Sequence, residues 1–155
     1  MSVDRDWMLA HIPHQGSMCL LDHVAEWDAQ GMKAVATSHL SPDNPLRADG
    51  RLGAANGIEY AAQAMAVHTA LLGTTQADAA VAERPRAGFL ASVRNTTLHV
   101  ARLDDIGEAL AIEVTLMHGE PNCILYQFAV RSASGRDLLD GRATVIIDAT
   151  ALDNR

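Results

Sequence analysis

The stretch "GAANGIEYAAQAMAVHTALLG", Gly53 to Gly73, decides the fold of this chain. It is rich in alanine, contains no proline and is apolar on nearly every side, a pattern that predicts one long buried helix. The closing glycine predicts a C-cap at Gly73. A helix of this kind must be covered by another large apolar surface, which the flanking sequence has to supply.

The flanking sequence predicts strands on both sides of this helix. Upstream, Met18 to Trp27 and Met32 to His39 are predicted as two short strands around the turn "DAQG", after an irregular or helical start in residues 1–10. The stretch "HLSPDNPLRADGRL" is a loop, and "TTQADAAVAERPR" is a polar connection with a possible short helical turn. Four long strands follow, without helices between them, in "AGFLASVRNTTLHV", "EALAIEVTLMHGE", "NCILYQFAVRSASG" and "RDLLDGRATVIID".

This order predicts an α+β fold in which a curved antiparallel sheet wraps around one long central helix. The chain has 155 residues, which favours a single domain over residues 1–155. The net charge of −7 argues against nucleic-acid binding through phosphate contacts. Polar residues interrupt the longest apolar stretch, so no membrane span is expected.

The cysteines and histidines near the N-terminus do not form a recognisable reactive motif. Cys19 and Cys123 are too few for a disulfide framework, and no signal peptide is evident, so we expect a cytoplasmic protein. The spacing of His11, His14, His23 and Cys19 matches no tight ligand motif, so no metal site is expected. Cys19 lies in an apolar segment, where an inert buried thiol is the usual case.

The polar exceptions on the predicted helix indicate where chemistry is expected. Asn56, Glu59 and Gln63 fall at i, i+3 and i+7 and share one face. A carboxylate on a buried helix is costly unless paired or protonated, and a protonated one suits general acid catalysis. The alternative is that Glu59 lies on a solvated edge of the helix. His68 is about half a turn out of phase with Glu59 and is expected in the core or on the surface.

Three motifs in order resemble the hot-dog fold 3-hydroxyacyl-acyl-carrier-protein dehydratases. They are "PHQGSMCLLDHV" (Pro13 to Val24), "IEYAAQA" (Ile58 to Ala64) and "FLASVRN" (Phe89 to Asn95). Each is weak alone, but together they span most of the chain. The similarity is greatest to the dehydratase-like proteins of aryl-polyene and related fatty-acid-like pathways. The resemblance implies a dimer with the central helices side by side and the sheets joined edge to edge.

The resemblance also implies roles for individual residues. Glu59 matches the acid that protonates the departing hydroxyl, and Gln63 matches a glutamine one turn later, which we expect to bind the substrate. Ser92 stands where the family has a glycine whose backbone N–H holds the thioester carbonyl, and we expect its side chain to narrow the site. Asp22 matches a strand aspartate, which we expect, with His14, to fix its segment by hydrogen bonds.

The family's catalytic histidine has no matching histidine in this chain. Asn44 stands nearest that position, and asparagine can bind a thioester but cannot take its α-proton. His39, five residues earlier, is expected to end a strand and would substitute only if the loop folded back. The family builds each site from a histidine of one subunit and an acid of the other. A heterodimer with a standard dehydratase subunit would therefore have one complete site.

Three functions remain open from the sequence. The first is a dehydratase-type lyase that forms a trans-2-enoyl thioester on a carrier protein, with a partner subunit. The second is a thioesterase in which Glu59 activates water, and the third is a non-catalytic acyl-binding or scaffold subunit. No cofactor is expected beyond the phosphopantetheine that carries the substrate on an acyl carrier protein or coenzyme A. Scattered arginines are possible docking points for an acidic carrier protein: Arg47, Arg51, Arg84, Arg86 and Arg94.

Overall fold

The computed structural model describes residues 3–12, 15–76, 88–120 and 122–147. It contains a short helix α1 (Arg5–His11) and a long helix α2 (Gly57–Gln76), with a 3₁₀ turn (Ala54–Asn56) leading into α2. Six strands make up the rest: β1 (His23–Trp27), β2 (Gly31–Ala36), β3 (Gly88–Leu98), β4 (Leu110–Glu120), β5 (Cys123–Ser132) and β6 (Asp137–Ile147).

The six strands form one sheet in the order β1-β2-β4-β5-β6-β3, and all neighbours are antiparallel. Helix α2 connects β2 to β3 and packs against one face of the sheet, with contacts to β2, β3, β4 and β5. The predicted antiparallel sheet around one long helix is therefore confirmed. No helix among the described residues is long and apolar enough to cross a membrane.

Strict alternation along the strands builds the core between the sheet and α2. On β5, four side chains at every second position are buried: Ile124, Tyr126, Phe128 and Val130. On α2, the buried residues include Tyr60, Ala61, Ala64, Met65, Val67 and Leu71. Small alanines on the helix let the large aromatic side chains of β5 fit between the two layers, so the low aromatic content still gives a filled core.

Three predicted boundaries are wrong. The predicted strand from Met18 begins only at His23, because the backbone of residues 18–20 bonds to the side chain of Gln63 rather than to a strand. The second strand ends at Ala36, and His39 lies in the 3₁₀ turn Ser38–Leu40. Helix α2 continues past Gly73 to Gln76, so Gly73 is an exposed residue inside the helix and not its C-cap.

The N-terminal lead-in and the strands after α2 agree with the sequence predictions, and two other predicted features lie outside the described residues. The lead-in forms helix α1, and the four long strands after α2 lie within their predicted segments. Most of the polar connection after α2, residues 77–87, lies outside the described residues. So does His14.

His68 lies in the core, fully buried on α2. Its Nε2 is 2.8 Å from the carbonyl oxygen of Asp28, so Nε2 carries the proton and donates it. Nδ1 then accepts a hydrogen bond from the hydroxyl of Tyr126 at 2.7 Å. Burial raises the pKa of Tyr126 to about 12, so this hydroxyl stays protonated. The network ties α2 to β5 and to the turn before β2.

Two glycines of α2 should respond in opposite directions to substitution by alanine. A Cβ on Gly57 would lie 2.5 Å from Cδ2 of Leu139, a side chain that is itself buried, whereas a Cβ on Gly73 meets nothing within 4 Å. We expect Gly57→Ala to lower the free energy of unfolding by about 1–3 kcal/mol through overpacking. We expect Gly73→Ala to raise it by about 0.5–1 kcal/mol through helix propensity. Urea unfolding measures both, and a stabilised Gly57→Ala variant would contradict the packing.

Mild acid should destabilise the fold through its buried histidines. Burial is the largest influence on His39 and His68 and lowers the pKa of each below 6.5, although backbone carbonyls act in the opposite direction. The unfolded chain therefore binds more protons than the native one below about pH 6.5, and stability falls as the pH drops through this range. We expect the free energy of unfolding to decrease between about pH 7.5 and 5.

Urea unfolding at several pH values tests this expectation. His68→Gln should have a shallower pH dependence than the wild type, whereas Gln127→Leu, at an exposed position without an ionisable group, should keep the wild-type slope. A wild-type stability that stays constant over this range would show that neither histidine titrates differently on unfolding.

Candidate active site

The predicted acid and its predicted neighbour meet in the first two turns of α2. Glu59 is half-buried in the first turn, and the side-chain amide of Gln63 donates a hydrogen bond to its Oε1 at 3.2 Å. An amide N–H can donate to this oxygen whether the carboxyl group is protonated or ionised. The carboxyl group is thus held in one orientation at a polar end of an otherwise apolar helix.

Gln63 also holds the N-terminal segment against the helix. Its side chain is fully buried, and its Oε1 accepts a hydrogen bond from the backbone N–H of Leu20 at 2.8 Å. Its Nε2 donates to the carbonyl oxygen of Met18 at 2.6 Å. The Leu20 N–H fixes which end of the amide is the oxygen, so Nε2 must be the atom that faces Glu59. Gln63 therefore uses one side chain to fix both a neighbouring segment and the carboxyl group.

A second buried network, centred on Tyr60, anchors the loop that carries Asn44. The Tyr60 hydroxyl lies 2.8 Å from the Ser38 hydroxyl and accepts a hydrogen bond from Nδ2 of Asn44 at 3.0 Å. Ser38 in turn donates to the carbonyl oxygen of Leu20 at 2.7 Å. The two networks meet at Leu20, whose N–H and carbonyl are bonded to Gln63 and Ser38. One cluster thus joins α2, the loop and the N-terminal segment.

Asn44 is buried, and its side chain is used within the protein. Besides Tyr60, Nδ2 donates to the carbonyl oxygen of Ser38 at 2.9 Å, and Oδ1 accepts from the N–H of Leu46 at 2.8 Å. Both amide hydrogens are therefore engaged in shaping the loop. A direct substrate contact by Asn44 remains a prediction, and in this conformation it would be made through Oδ1 alone.

The ring of His39 is engaged in structural hydrogen bonds and does not act as a base in this conformation. The ring is fully buried, and Nε2 lies 2.9 Å from the carbonyl oxygens of both Ile106 and Glu108, so it carries the proton. Nδ1 is buried and has no hydrogen-bond partner among the described residues. In this conformation His39 fastens the loop to the segment before β4 and is not exposed to a substrate.

The start of α2 is supported from beneath by the segment between β3 and β4. The backbone N–H of Leu52 donates to Oδ1 of Asp104 at 2.9 Å, and Leu103 donates back to the Leu52 carbonyl at 2.8 Å. Arg102 pairs with Asp104 and, as the largest influence, holds the pKa of that carboxyl well below its usual range. The helix therefore begins from a fixed point, which positions Glu59.

Ser92 lies apart from the other predicted site residues. It is on β3 and pairs with Thr144, while the adjacent pair Val93 and Ala143 faces the core. Because side chains alternate along a strand, the Ser92 side chain is on the sheet face that points away from α2. The expectation that this side chain narrows the site next to Glu59 is therefore wrong. The predicted role of its backbone N–H does not depend on the side chain and remains a prediction.

The N-terminal stretch behaves as a structural element in its described part. Asp22 accepts a hydrogen bond from the Thr37 hydroxyl at 2.8 Å, as expected of a residue that fixes its segment. Cys19 is buried, and this burial raises the pKa of its thiol, which suits an inert side chain. Within residues 3–12, 15–76, 88–120 and 122–147, no group of three potential ligand side chains is arranged to hold a metal ion.

The sequence pattern pointed to Glu59 and Gln63 but missed Tyr60 and Ser38. A tyrosine directly after the acid, on a helix composed mainly of alanine, was the available signal. Buried tyrosines usually have a hydrogen-bond partner for the hydroxyl, so Tyr60 predicted a polar neighbour that a helical-face argument did not consider. Its partners, however, come from a loop 16 and 22 residues away.

Comparison with known proteins identifies the fold and the family. The family model described as ApeP-like, ApeP dehydratase, matches residues 8–152. Among solved structures, the dehydratase heterocomplex ApeI:P from Xenorhabdus doucetiae is 23% identical, with a TM-score of 0.76, over 96% of this chain and 97% of that chain. No match to this chain is found among curated proteins.

More distant structures include thioesterases. A hypothetical thioesterase from Streptococcus pneumoniae, solved with coenzyme A, is 12% identical with a TM-score of 0.57, over 81% of this chain and 84% of that chain. A thioesterase from Haemophilus influenzae is 11% identical with a TM-score of 0.52, over 81% and 76% of the two chains. At these identities the likeness is one of fold, and the fold is the hot-dog fold.

Removing the Gln63 amide should destabilise the protein more than an exposed substitution of the same kind. Gln63→Leu leaves the buried N–H of Leu20 and the carbonyl of Met18 without their partners, at about 1–3 kcal/mol for each buried group. We expect a fall of about 2–4 kcal/mol in the free energy of unfolding by urea. Gln127→Leu, exposed on β5, should change it by less than about 0.5 kcal/mol. Equal effects of the two variants would disprove the anchoring role.

Proposed function

The chain belongs to the ApeP-like dehydratase family, and we propose that it is one subunit of a 3-hydroxyacyl-thioester dehydratase, to which it contributes Glu59 as the general acid. The observation that carries this proposal is the Glu59 carboxyl group, oriented by the buried amide of Gln63 in the first turn of α2. A general acid must be held within hydrogen-bond reach of the group that it protonates.

In the proposed reaction, a histidine takes the α-proton of the 3-hydroxyacyl thioester. The electron pair of the C–H bond forms the Cα–Cβ double bond, and the C–O bond to the hydroxyl breaks. Protonated Glu59 donates its proton to the departing hydroxyl, which leaves as water. The product is a trans-2-enoyl thioester. We assign the backbone N–H of Ser92 to the thioester carbonyl, where negative charge develops as the α-proton leaves.

We propose that the histidine comes from a partner subunit. The loop position that resembles the family's histidine holds Asn44, whose amide hydrogens are both bonded within the protein. His39, the nearest histidine in that loop region, is buried and bonded to two carbonyls. The ApeI:P structure is a heterocomplex, which supports a two-chain arrangement. A partner that brings a histidine to Glu59 would complete one site.

Two surfaces of the subunit support such a dimer. A row of half-buried residues runs along α2 at every fourth position: Ile58, Ala62, Ala66 and Ala70. This row is small and apolar, and it would let a second helix approach closely. Strand β3 forms one edge of the sheet, with β6 as its neighbour on one side. A second sheet is expected to join at the other side of β3, as the family resemblance implies.

The substrate class follows from the family and not from a pocket in this subunit. We propose an acyl chain on the phosphopantetheine of an acyl carrier protein, within an aryl-polyene or related fatty-acid-like pathway; coenzyme A is the alternative carrier. No further cofactor is required by the proposed steps, because proton transfers alone complete the dehydration. Both cysteines are free thiols, which suits the reducing cytoplasm that we propose as its location.

A thioesterase is the second candidate function, because the same oriented carboxylate can activate water instead of protonating a hydroxyl. The solved thioesterases with this fold are compatible with that chemistry but share only the fold. A third candidate is a subunit that binds the acyl chain and stabilises its partner without taking part in chemistry. The three candidates differ in what they do to one substrate. A dehydratase forms an enoyl thioester and a thioesterase releases a free thiol. A scaffold subunit adds no chemistry to that of its partner.

Glu59→Gln should remove the dehydration activity of the complex and leave the fold intact. The amide keeps the shape and can still accept a hydrogen bond from Gln63, but it has no proton of suitable acidity to donate. We expect a decrease of about 10²–10⁴-fold in kcat for a 3-hydroxyacyl carrier-protein substrate, assayed with the chain and a dehydratase partner together. Glu113→Gln, on β4, is the matched control and should keep full activity.

Each alternative gives a distinct result in the same assay. Release of free thiol that depends on Glu59 would indicate a thioesterase. If the complex is active and its dehydration rate is unchanged by Glu59→Gln, the chain is a scaffold subunit. Full dehydration by the chain alone would contradict the need for a partner histidine.

A further inference from the structure

Strand β3 is a long open edge on which a second strand can pair. It has 11 residues, and its neighbour in the described sheet, β6, bonds to one side of it. Its second half is exposed, from Arg94 to Leu98, and the apolar side chain of Leu98 is 47% exposed. An uncovered edge strand presents unpaired N–H and carbonyl groups, which makes it a template for another chain.

Two arginines face each other at this edge, with no negative partner in the part of the chain that the structure describes. Arg94 on β3 pairs directly with Arg142 on β6, and both side chains are exposed. Like charges opposite each other on antiparallel strands destabilise the pair. Neither arginine has an ion pair or a side-chain hydrogen bond within the described part of the chain. Asp140, the nearest carboxylate along β6, lies 2.8 Å from Nε2 of His99 instead.

Other basic side chains of the sheet are neutralised by their neighbours. Lys33 on β2 lies within 4 Å of both Glu26 and Glu113, and Arg131 on β5 pairs with Asp137. Charge compensation is therefore the rule on this sheet, and the Arg94–Arg142 pair departs from it, in a chain with a net charge of −7. The uncompensated pair lies at the β3 edge of the sheet, where no further strand pairs among the described residues.

The two arginines line a cleft with further hydrogen-bond donors. The cleft has a volume of about 130 Å³ and is lined by Ser92, Arg94, Asn95, Leu125, Arg142 and Thr144. The hydroxyls of Ser92 and Thr144 make no hydrogen bond to other described residues. Guanidinium groups bind a carboxylate in a planar, two-pronged geometry, and hydroxyls can donate to its remaining lone pairs. The cleft thus has the chemistry of a carboxylate-binding site.

We propose that this arginine pair selects a different subunit over a second copy of the same chain, by accepting a carboxylate from the partner's edge strand. This inference rests on the heterodimer of the proposed function and names the chemistry of its partner. The partner is a dehydratase subunit whose edge strand carries Asp or Glu opposite Arg94.

Self-pairing through β3 places the arginines together. Strand β3 is irregular between Leu90 and Ser92 and between Arg94 and Thr97, so a second copy can pair regularly with its central residues 92–94. Antiparallel pairing centred on Val93 puts Arg94 opposite Ser92 of that copy, about 5 Å away. Arg94 and Arg142 of both copies then form a patch of four positive charges on one sheet face. A strand with a carboxylate at that position removes this repulsion and also fills the cleft. Specificity of this kind uses repulsion against the wrong partner as well as attraction to the right one.

Charge reversal at Arg94 tests the inference on the full chain without a partner. Arg94→Glu places a carboxylate opposite Arg142 of its own chain and turns the patch of four positive charges into two neutral pairs, so its homodimer should have a dissociation constant at least about tenfold lower than that of the wild type in sedimentation equilibrium. Arg136→Glu is the control, with the same change of charge in the turn between β5 and β6, six residues from Arg142. It should self-associate as the wild type does.

Ionic strength provides a second measurement on the same proteins. Self-association of the wild type should strengthen when salt is raised from about 50 mM to about 500 mM, because screening weakens the repulsion between arginines. The Arg94→Glu homodimer lacks this repulsion and should not strengthen over the same range. The inference is overturned if the wild type is a tight homodimer that Arg94→Glu leaves unchanged or weakens, or if Arg136→Glu has the same effect as Arg94→Glu.

Titration with a dehydratase partner separates this inference from the proposed function. Arg94→Glu should weaken the heterodimer at least about tenfold, and replacement of the partner's facing carboxylate by lysine should restore it. If the heterodimer forms and is active, but its dissociation constant is unchanged by Arg94→Glu, the role of the arginine pair is wrong and the proposed function still stands. A wild type that fully dehydrates its substrate alone would reject the partner requirement itself.

Discussion

The buried side-chain amide of Gln63 is the interaction on which the site depends. A single group bonds to the carbonyl of Met18, the N–H of Leu20 and the carboxyl group of Glu59. The Gln63 side chain and the N–H of Leu20 are buried, where an unpaired donor or acceptor is expensive, and the other two bonds are partly buried. The three partners therefore have little freedom to move separately. The position of the carboxyl group and the course of the N-terminal segment are therefore set by the same side chain.

Around Gln63, other buried polar side chains join separate elements of the fold through hydrogen bonds. Tyr60 holds the loop to α2, His39 holds the loop to the segment before β4, and His68 holds α2 to β5. Each of these residues is fully buried on or beside an apolar helix. Most side chains that looked reactive in the sequence thus serve the fold, and Glu59 is left as the residue whose position suits chemistry on a bound substrate.

The loop shows how a site can change its role within one fold. A histidine at the position of Asn44 would present a base to the substrate in the family that the sequence resembles. Asn44 instead directs its amide hydrogens to Ser38 and Tyr60, which makes the loop rigid. In the proposed heterodimer, this subunit contributes the acid Glu59 and leaves proton abstraction to its partner. The edge strand β3, with its arginine pair, is the surface that we propose for both the pairing with a partner and the choice of that partner.

Much of this protein was predictable from local pattern. Periodicity identified the long helix and the four strands after it, because burial on one face leaves a direct trace in the order of apolar residues. Helical spacing brought Glu59 and Gln63 onto one face, and three ordered motifs identified the family. Boundaries were less predictable: the segment from Met18 looked like a strand, but its backbone bonds to a side chain 43 and 45 residues away.

Only the tertiary structure decided the hydrogen-bond partners of isolated polar residues. The sequence by itself determined the fold class, the central helix and the acid on it, since these follow from neighbours within one or two turns. It did not determine that His39 is buried against two carbonyls, or that the side chain of Asn44 is hydrogen-bonded within the protein. Nor did it determine that the Ser92 side chain faces away from α2. Each depends on contacts with residues distant in the chain, or on strand register, and a shift of one residue in register turns a side chain to the opposite face of the sheet.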